Sequence, residues 1–128
     1  MRNGMRTAAL ALALAALAMT APAHAQKAEH YQIRHTADLV TVCSTAPSAP
    51  DYATAIAFCH GILAGAWGYY VASTAPLDRE ICSSDTTLTR AKVADSFVAW
   101  AKARPQYMQS GAVDTLFRFA AEAYPCKR

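Results

Sequence analysis

Signatures of several common chemistries are missing from this sequence. It contains no glycine-rich phosphate loop, no nucleophile elbow and no paired-carboxylate signature, and its aspartates are scattered. No two cysteines are spaced as Cys-x-x-Cys, which argues against a thioredoxin-type redox pair and against a zinc knuckle. We therefore predict a protein that is not an enzyme and that has no catalytic residue, no cofactor and no metal site.

Histidine is scarce, and its positions suit neither catalysis nor metal binding. His30 and His35 are five residues apart in a polar segment, a spacing that brings ligands together on neither a helix nor a strand. Cys59 and His60 are adjacent, but neighbouring side chains on a helix point about 100° apart and do not form a thiolate and its base. We interpret His60 as a hydrogen-bonded helix residue.

A large excess of charge of one sign is also missing. The sequence contains 12 Lys and Arg residues and 9 Asp and Glu residues. Two of the basic residues, Arg2 and Arg6, precede an apolar run over 8–19. Small residues then lead to Ala23-His24-Ala25, which completes the layout of a signal peptide. Without that peptide ten basic residues remain against nine acidic ones, interspersed along the chain. This balance excludes a nucleic-acid partner on electrostatic grounds.

The domain arrangement follows from the signal peptide. Its apolar run has 12 residues, whereas a transmembrane helix needs about 20. We predict a signal peptide over 1–25, cleaved after Ala25, and export to the periplasm. The remaining 103 residues, 26–128, form a single helical domain.

Four helices are predicted, because apolar residues recur at helical spacing and strand alternation is not sustained anywhere. Thr36, Asp51 and Thr89 are the expected N-caps of the first three helices. The predicted helices span 37–44, 52–73, 90–103 and 112–123. The expected core-facing residues are Val93, Phe97, Trp100 and Ala101 on the third helix and Val113, Leu116, Phe117, Ala120 and Tyr124 on the fourth.

The second helix carries no formal charge over 52–72 and contains a small-xxx-small pattern at Gly61 and Gly65. A membrane span would place Cys59 inside the bilayer, and no Lys or Arg cluster follows as a stop signal. We therefore expect no span in the mature chain and a central helix that is buried on nearly all sides. Its small residues form a stripe that lets another helix approach, within the monomer or across a two-fold axis. The stripe comprises Ala53, Ala57, Gly61, Ala64, Gly65, Gly68 and Ala72.

An even number of cysteines in a short exported chain indicates two disulfides. The cysteines are Cys43, Cys59, Cys82 and Cys126, and the sequence alone leaves three connectivities. Up-and-down packing returns the end of the fourth helix to the start of the third. We therefore prefer Cys82 with Cys126, which leaves Cys43 with Cys59. The fold class is all-α, a small disulfide-stapled bundle of about four helices.

Tyr107 and Met108 lie in the link between the third and fourth helices, where we expect them to be exposed and available for recognition. Trp100, by contrast, has the helical spacing of a core residue.

The order and spacing of several short motifs resemble the Rap/Tai immunity proteins of type VI secretion systems, over nearly all of 38–126. The motifs are Asp38-Leu39 before Cys43, Cys59-His60-Gly61-Ile62 with Gly65, Cys82, Arg104-Pro105 and Tyr124-Pro125-Cys126.

This resemblance implies a periplasmic helical protein, often a homodimer, that binds a peptidoglycan amidase effector and blocks its active-site cleft. In that family a loop between late helices does the blocking, which corresponds to 104–111 here. The partner-binding residues expected on this basis are Arg104, Gln106, Tyr107, Met108, Gln109 and Ser110.

Two other functions stay open at this point. An acid-stress chaperone of the HdeA type is similar in size, export and helical content, and would suppress client aggregation in strong acid. An envelope binding protein without an effector is the other. An adjacent gene for an amidase with a Cys and His pair would favour immunity.

Overall fold

The computed structural model describes residues 31–127, so the predicted signal peptide and the residues up to 30 lie outside it. The described part contains four α-helices and two short 3-10 turns, Pro76–Asp78 and Pro105–Tyr107, and its only β-type pairing consists of isolated bridges. The helices are α1 (Thr36–Cys43), α2 (Tyr52–Ser73), α3 (Arg90–Lys102) and α4 (Ala112–Ala123). The prediction of a small all-α bundle is confirmed.

The start of α1 differs from the prediction, because His35 is its N-cap and Thr36 is already helical. The Asp38 carboxylate accepts hydrogen bonds from the backbone N–H groups of His35 at 2.8 Å and Arg34 at 3.0 Å. These bonds favour the ionised form, the His35 bond most, and hold the pKa of Asp38 below its usual range. The expected cap, Thr36, is free to bond elsewhere.

The prediction that α2 is buried on nearly all sides is wrong. Only Ala55, Cys59 and Leu63 are buried, because α2 packs against α1 and α3 along one face and makes little direct contact with α4. Among the described helices α2 alone is long and apolar enough to cross a membrane, and 17% of its most apolar window is buried. It is nevertheless tied to α1 by a disulfide at Cys59.

The core face of α3 is largely as predicted, with Val93 and Trp100 at its edge, whereas the core face of α4 is rotated relative to the prediction. On α3 the buried residues are Ala94, Phe97 and Ala101, whereas Val93 and Trp100 are half-buried. On α4 they are Ala112, Thr115, Leu116 and Phe119. Of the face expected on α4, Val113 is 45% exposed, and Phe117, Ala120 and Tyr124 are half-buried. Phe119 decides the rotation, since its ring packs edge-on against Phe97 with centroids 5.7 Å apart.

Both disulfides have the connectivity preferred from the sequence. Cys43–Cys59 lies in the core and joins α1 to α2. Cys82–Cys126 joins the α2–α3 loop to the segment after α4. Backbone bonds flank it, from the Cys82 N–H to the Tyr124 carbonyl and from the Cys126 N–H to the Glu80 carbonyl. The second disulfide therefore fastens the C-terminal segment alongside that loop.

Candidate functional site

The α3–α4 loop, residues 103–111, is a series of tight turns. Tyr107 N–H donates to the Arg104 carbonyl at 3.0 Å, and Met108 N–H donates to the Pro105 carbonyl at 3.1 Å. Ser110 N–H then donates to the Tyr107 carbonyl at 3.0 Å. Proline at the first position of the 3-10 turn presets its φ angle. Local bonds therefore keep the loop compact.

An aromatic stack holds this loop against α3 and α4. The Tyr107 ring lies parallel to the Trp100 indole, with centroids 5.6 Å apart and planes 7° apart. The Arg104 guanidinium carbon lies 4.3 Å from the Trp100 ring centroid, and that of Arg118 lies 6.0 Å from the Tyr107 centroid. Cations at such distances are attracted to aromatic rings. The stack therefore fixes the direction in which the Tyr107 side chain points.

Each arginine of the stack is also paired with a carboxylate. Arg104 donates to Glu122 at 2.6 Å and to the Trp100 carbonyl at 3.3 Å. Arg118 donates to Asp114 at 2.9 Å, and this contact raises the pKa of the Arg118 guanidinium. Because both cations are paired, the surface beside the loop has little net charge.

The N-terminal end of α1 and Arg34 just before it hold the loop in place. The Thr36 N–H and hydroxyl both donate to the Ser110 carbonyl, at 2.9 and 3.2 Å, and Thr36 is 0% exposed. Ala37 N–H donates to the Met108 carbonyl at 3.0 Å, and Ala112 N–H donates to the Arg34 carbonyl at 3.2 Å. Sequence analysis missed this anchor, because a contact across 74 residues leaves no local pattern.

The structure corrects the exposure expected for two loop residues. Tyr107 and Met108 are half-buried, because Tyr107 stacks on Trp100 and Met108 packs against the core. Arg104 and Ser110 are half-buried too, and Gln106 and Gln109 are exposed. All six predicted partner-binding residues lie in this one loop, and of the six only the two glutamines are exposed.

Every member of the small-residue stripe on α2 is exposed. A Cβ atom built on Gly61, Gly65 or Gly68 would meet nothing within 4 Å. No described helix of the monomer therefore uses the close approach that the stripe permits. Tyr69, which is 72% exposed, adds an aromatic side chain beside it.

The described residues show no group of three or more His, Cys, Asp or Glu side chains placed to hold a metal ion. The four cysteines are all in disulfides, so none is a free thiol.

No curated protein and no solved structure matches the chain. A match was found to the family of Rap1a immunity proteins, over residues 35–126. The matched range contains all four helices, both disulfides and the α3–α4 loop. This chain therefore belongs to the Rap1a immunity protein family.

Proposed function

We propose that this protein neutralises a peptidoglycan amidase effector of a type VI secretion system by placing the α3–α4 loop in the active-site cleft of the effector. Membership of an immunity family implies an effector partner. The amidase class, the cleft and the loop are parts of the proposal. So are the signal peptide over 1–25 and residence in the periplasm, where peptidoglycan is exposed to such an enzyme.

The observation that carries the proposal is that the loop is ordered from two sides before any partner binds. The aromatic stack holds Tyr107 and the Thr36 anchor holds Ser110. Binding by a loop that is already ordered avoids the entropy cost of fixing it at the interface. Tyrosine, arginine and tryptophan, which form the stack, are also the residues enriched in binding hot spots.

Binding and inhibition by loop variants test this proposal. A peptidoglycan amidase effector, sought first among the genes adjacent to this one, would be titrated with the protein while peptidoglycan hydrolysis is measured. A large cation at Gln106 or Gln109, as in Q106R and Q109R, is expected to weaken inhibition by at least about tenfold, because it disrupts packing at the centre of an interface. Ser48→Arg is the matched control, since Ser48 is exposed in the loop after the C-terminal end of α1, whereas the α3–α4 loop contacts the N-terminal end.

Two outcomes separate the parts of the proposal. If Q106R and Q109R inhibit as well as the unchanged protein, a different surface binds the effector. If the unchanged protein neither binds nor inhibits the amidase, the effector class is wrong.

The exposed stripe on α2 supports a homodimer as a further part of the proposal. Small residues let two helix backbones approach closely, and glycine positions that are open in the monomer can accept a partner helix. The stripe is uncharged, so two copies meeting across a two-fold axis bring no like charges together. Sedimentation as a function of concentration measures this association.

An acid-stress chaperone of the HdeA type is the second candidate, favoured by the large exposed apolar side of α2. Such a protein would bind unfolded clients through apolar surface. Suppression of client aggregation at pH 2 tests it, and a protein that leaves client aggregation unchanged in acid is not such a chaperone. An envelope binding protein without an effector remains the description if neither activity is found.

A further inference from the structure

A groove of about 550 Å³ separates the C-terminal half of α2 from α4. It exists because these two helices make little direct contact and the gap between them is bounded by the α2–α3 loop and the first turn of α3. Its apolar lining includes Leu63, Trp67, Val93, Leu116, Phe117 and Phe119. The volume lies within the range of small-molecule binding sites, which are mostly apolar with a few polar groups.

The groove has one formal charge in its lining. Arg90, in the first turn of α3, borders the groove together with Ser83 and Thr89. No aspartate or glutamate lines it. The Arg90 side chain is exposed and makes no ion pair or side-chain hydrogen bond with any described residue. An apolar groove with one unpaired cation at its edge is complementary to a molecule with a long apolar part and an anionic end.

We propose that this groove binds a single-chain anionic amphiphile, whose tail lies between α2 and α4 and whose carboxylate or phosphate pairs with Arg90. Each methylene that leaves water adds roughly fourfold to affinity, which makes the tail the main source of binding. A charge-assisted hydrogen bond to the guanidinium sets the direction of the ligand.

A second copy of the chain is a less suitable occupant of this groove. Of the seven residues of the small-residue stripe, only Ala64 also lines the groove, so a partner helix seated on Gly61, Gly65 and Gly68 leaves most of the groove uncovered. Homodimerisation and amphiphile binding therefore concern different sides of α2, and one can fail without the other.

The two tryptophans allow a direct test in the oxidised protein. Trp67 lines the groove and Trp100 does not. Bromine atoms quench a tryptophan only on contact, so a dibrominated stearate below its micelle concentration reports occupancy. In W100F, where Trp67 is the remaining tryptophan, we expect saturable quenching. In W67F, where Trp100 remains, we expect none.

The head group is tested with matched ligands and matched variants. The methyl ester of the same brominated acid lacks the charge and is expected to bind about tenfold more weakly, as is the acid to R90A. Lys102→Ala, which removes a cation from the other end of α3, is the control and should not alter the dissociation constant. A brominated lysophosphatidate distinguishes a phospholipid source from a free fatty acid.

Three results would overturn the proposal. These are no quenching of Trp67, equal quenching of Trp67 and Trp100, and equal affinity for acid and ester together with no effect of R90A.

Discussion

The hydroxyl group of Thr36 donates a hydrogen bond to the carbonyl oxygen of Ser110, 74 residues along the chain, at 3.2 Å. The backbone N–H of Thr36 donates to the same oxygen at 2.9 Å. One buried residue at the start of α1 thus holds the end of the α3–α4 loop.

Replacing Thr36 with the isosteric valine is expected to lower the free energy of unfolding by about 1 kcal/mol, because the carbonyl of half-buried Ser110 loses one of its two donors. Amide hydrogens of 107–110 should exchange faster as the loop loosens. Thr41→Val is the matched control, since the Thr41 hydroxyl bonds only within α1 at an exposed position. Chemical denaturation and hydrogen exchange measure both effects, and equal losses in the two variants would contradict the anchoring role.

Replacing Trp100 with leucine removes the platform under Tyr107. We expect a loss of about 2 kcal/mol in stability, from lost apolar burial and lost stacking. The indole N–H has no hydrogen-bond partner among the described residues, so no such bond is lost. The affinity for the effector should fall by about tenfold or more because Tyr107 is no longer oriented.

Two variants are controls for the Trp100 prediction. Trp67→Leu removes the other tryptophan, which lies off the loop and should leave effector affinity unchanged. Tyr107→Phe keeps the stacked ring and should keep the stability. Unchanged effector affinity in W100L, in a protein that still folds, would show that the stack does not order a binding loop.

The disulfide between Cys82 and Cys126 closes a loop with a sequence separation of 44. Chain-entropy arguments assign such a cross-link about 4 kcal/mol. The double variant C82A/C126A should lose about that much in urea denaturation, while Cys43–Cys59 keeps α1 joined to α2. Addition of a reductant should then destabilise C82A/C126A further, to about the level of the fully reduced unchanged protein, because it also breaks Cys43–Cys59. A loss below about 1 kcal/mol would mean that hydrogen bonds alone hold the C-terminal segment.

A bulky side chain at Gly65 should weaken the proposed dimer without destabilising the monomer. No atom lies within 4 Å of a Cβ at this position, so Gly65→Leu costs no packing in the monomer and gains about 1 kcal/mol in helix propensity. The same side chain should obstruct close helix approach and weaken association by about tenfold or more. Ser96→Leu, at an exposed position of α3, is the control. Equal sedimentation of the unchanged protein and G65L would place any dimer interface elsewhere.

Acid should weaken the hydrogen bonds that the Asp38 carboxylate accepts at the N-terminus of α1. The pKa of Asp38 is lower in the folded protein than the ordinary value of about 3.9, because its ionised form accepts bonds from the His35 and Arg34 N–H groups. This contribution to stability is therefore present above that ordinary value and is lost as pH falls through the lower folded pKa.

The Asn variant at Asp38 measures this contribution. Asp38→Asn should be less stable at pH 7, and its stability should fall less between pH 5 and pH 2 than that of the unchanged protein. Asp95→Asn, at an exposed position on α3, serves as the control. Parallel pH curves for the unchanged protein and D38N would contradict the assignment.

Local features of the sequence predicted the helices closely. The third helix was capped by Thr89 as expected, and the second runs over the predicted range. The preferred disulfide pairing was confirmed as well. Antiparallel helices bring the end of α4 near the start of α3 whatever their side-chain packing. The sequence also predicted the position of the loop that holds the six predicted partner-binding residues. It did not predict that Tyr107 and Met108 are half-buried within that loop.

The remaining errors share one physical cause. On α4 the sets starting at Ala112 and at Val113 both have helical spacing, and packing against other elements, such as that of Phe119 against Phe97, selects between them. Tyr107 is half-buried because Trp100, on another element, offers a flat ring at the right distance. Such choices depend on neighbours that no window of sequence contains.

The sequence by itself determined the all-α class and the helix boundaries to within a residue, because hydrophobic period and capping act locally. It favoured the observed disulfide connectivity among three, because chain reversal depends only on helix order. Tertiary structure alone decided which sides of the helices are buried, left the stripe on α2 uncovered, opened the groove beside α4 and joined Thr36 to Ser110. These features arise where surfaces from distant segments meet, and their energies depend on the fit between those surfaces.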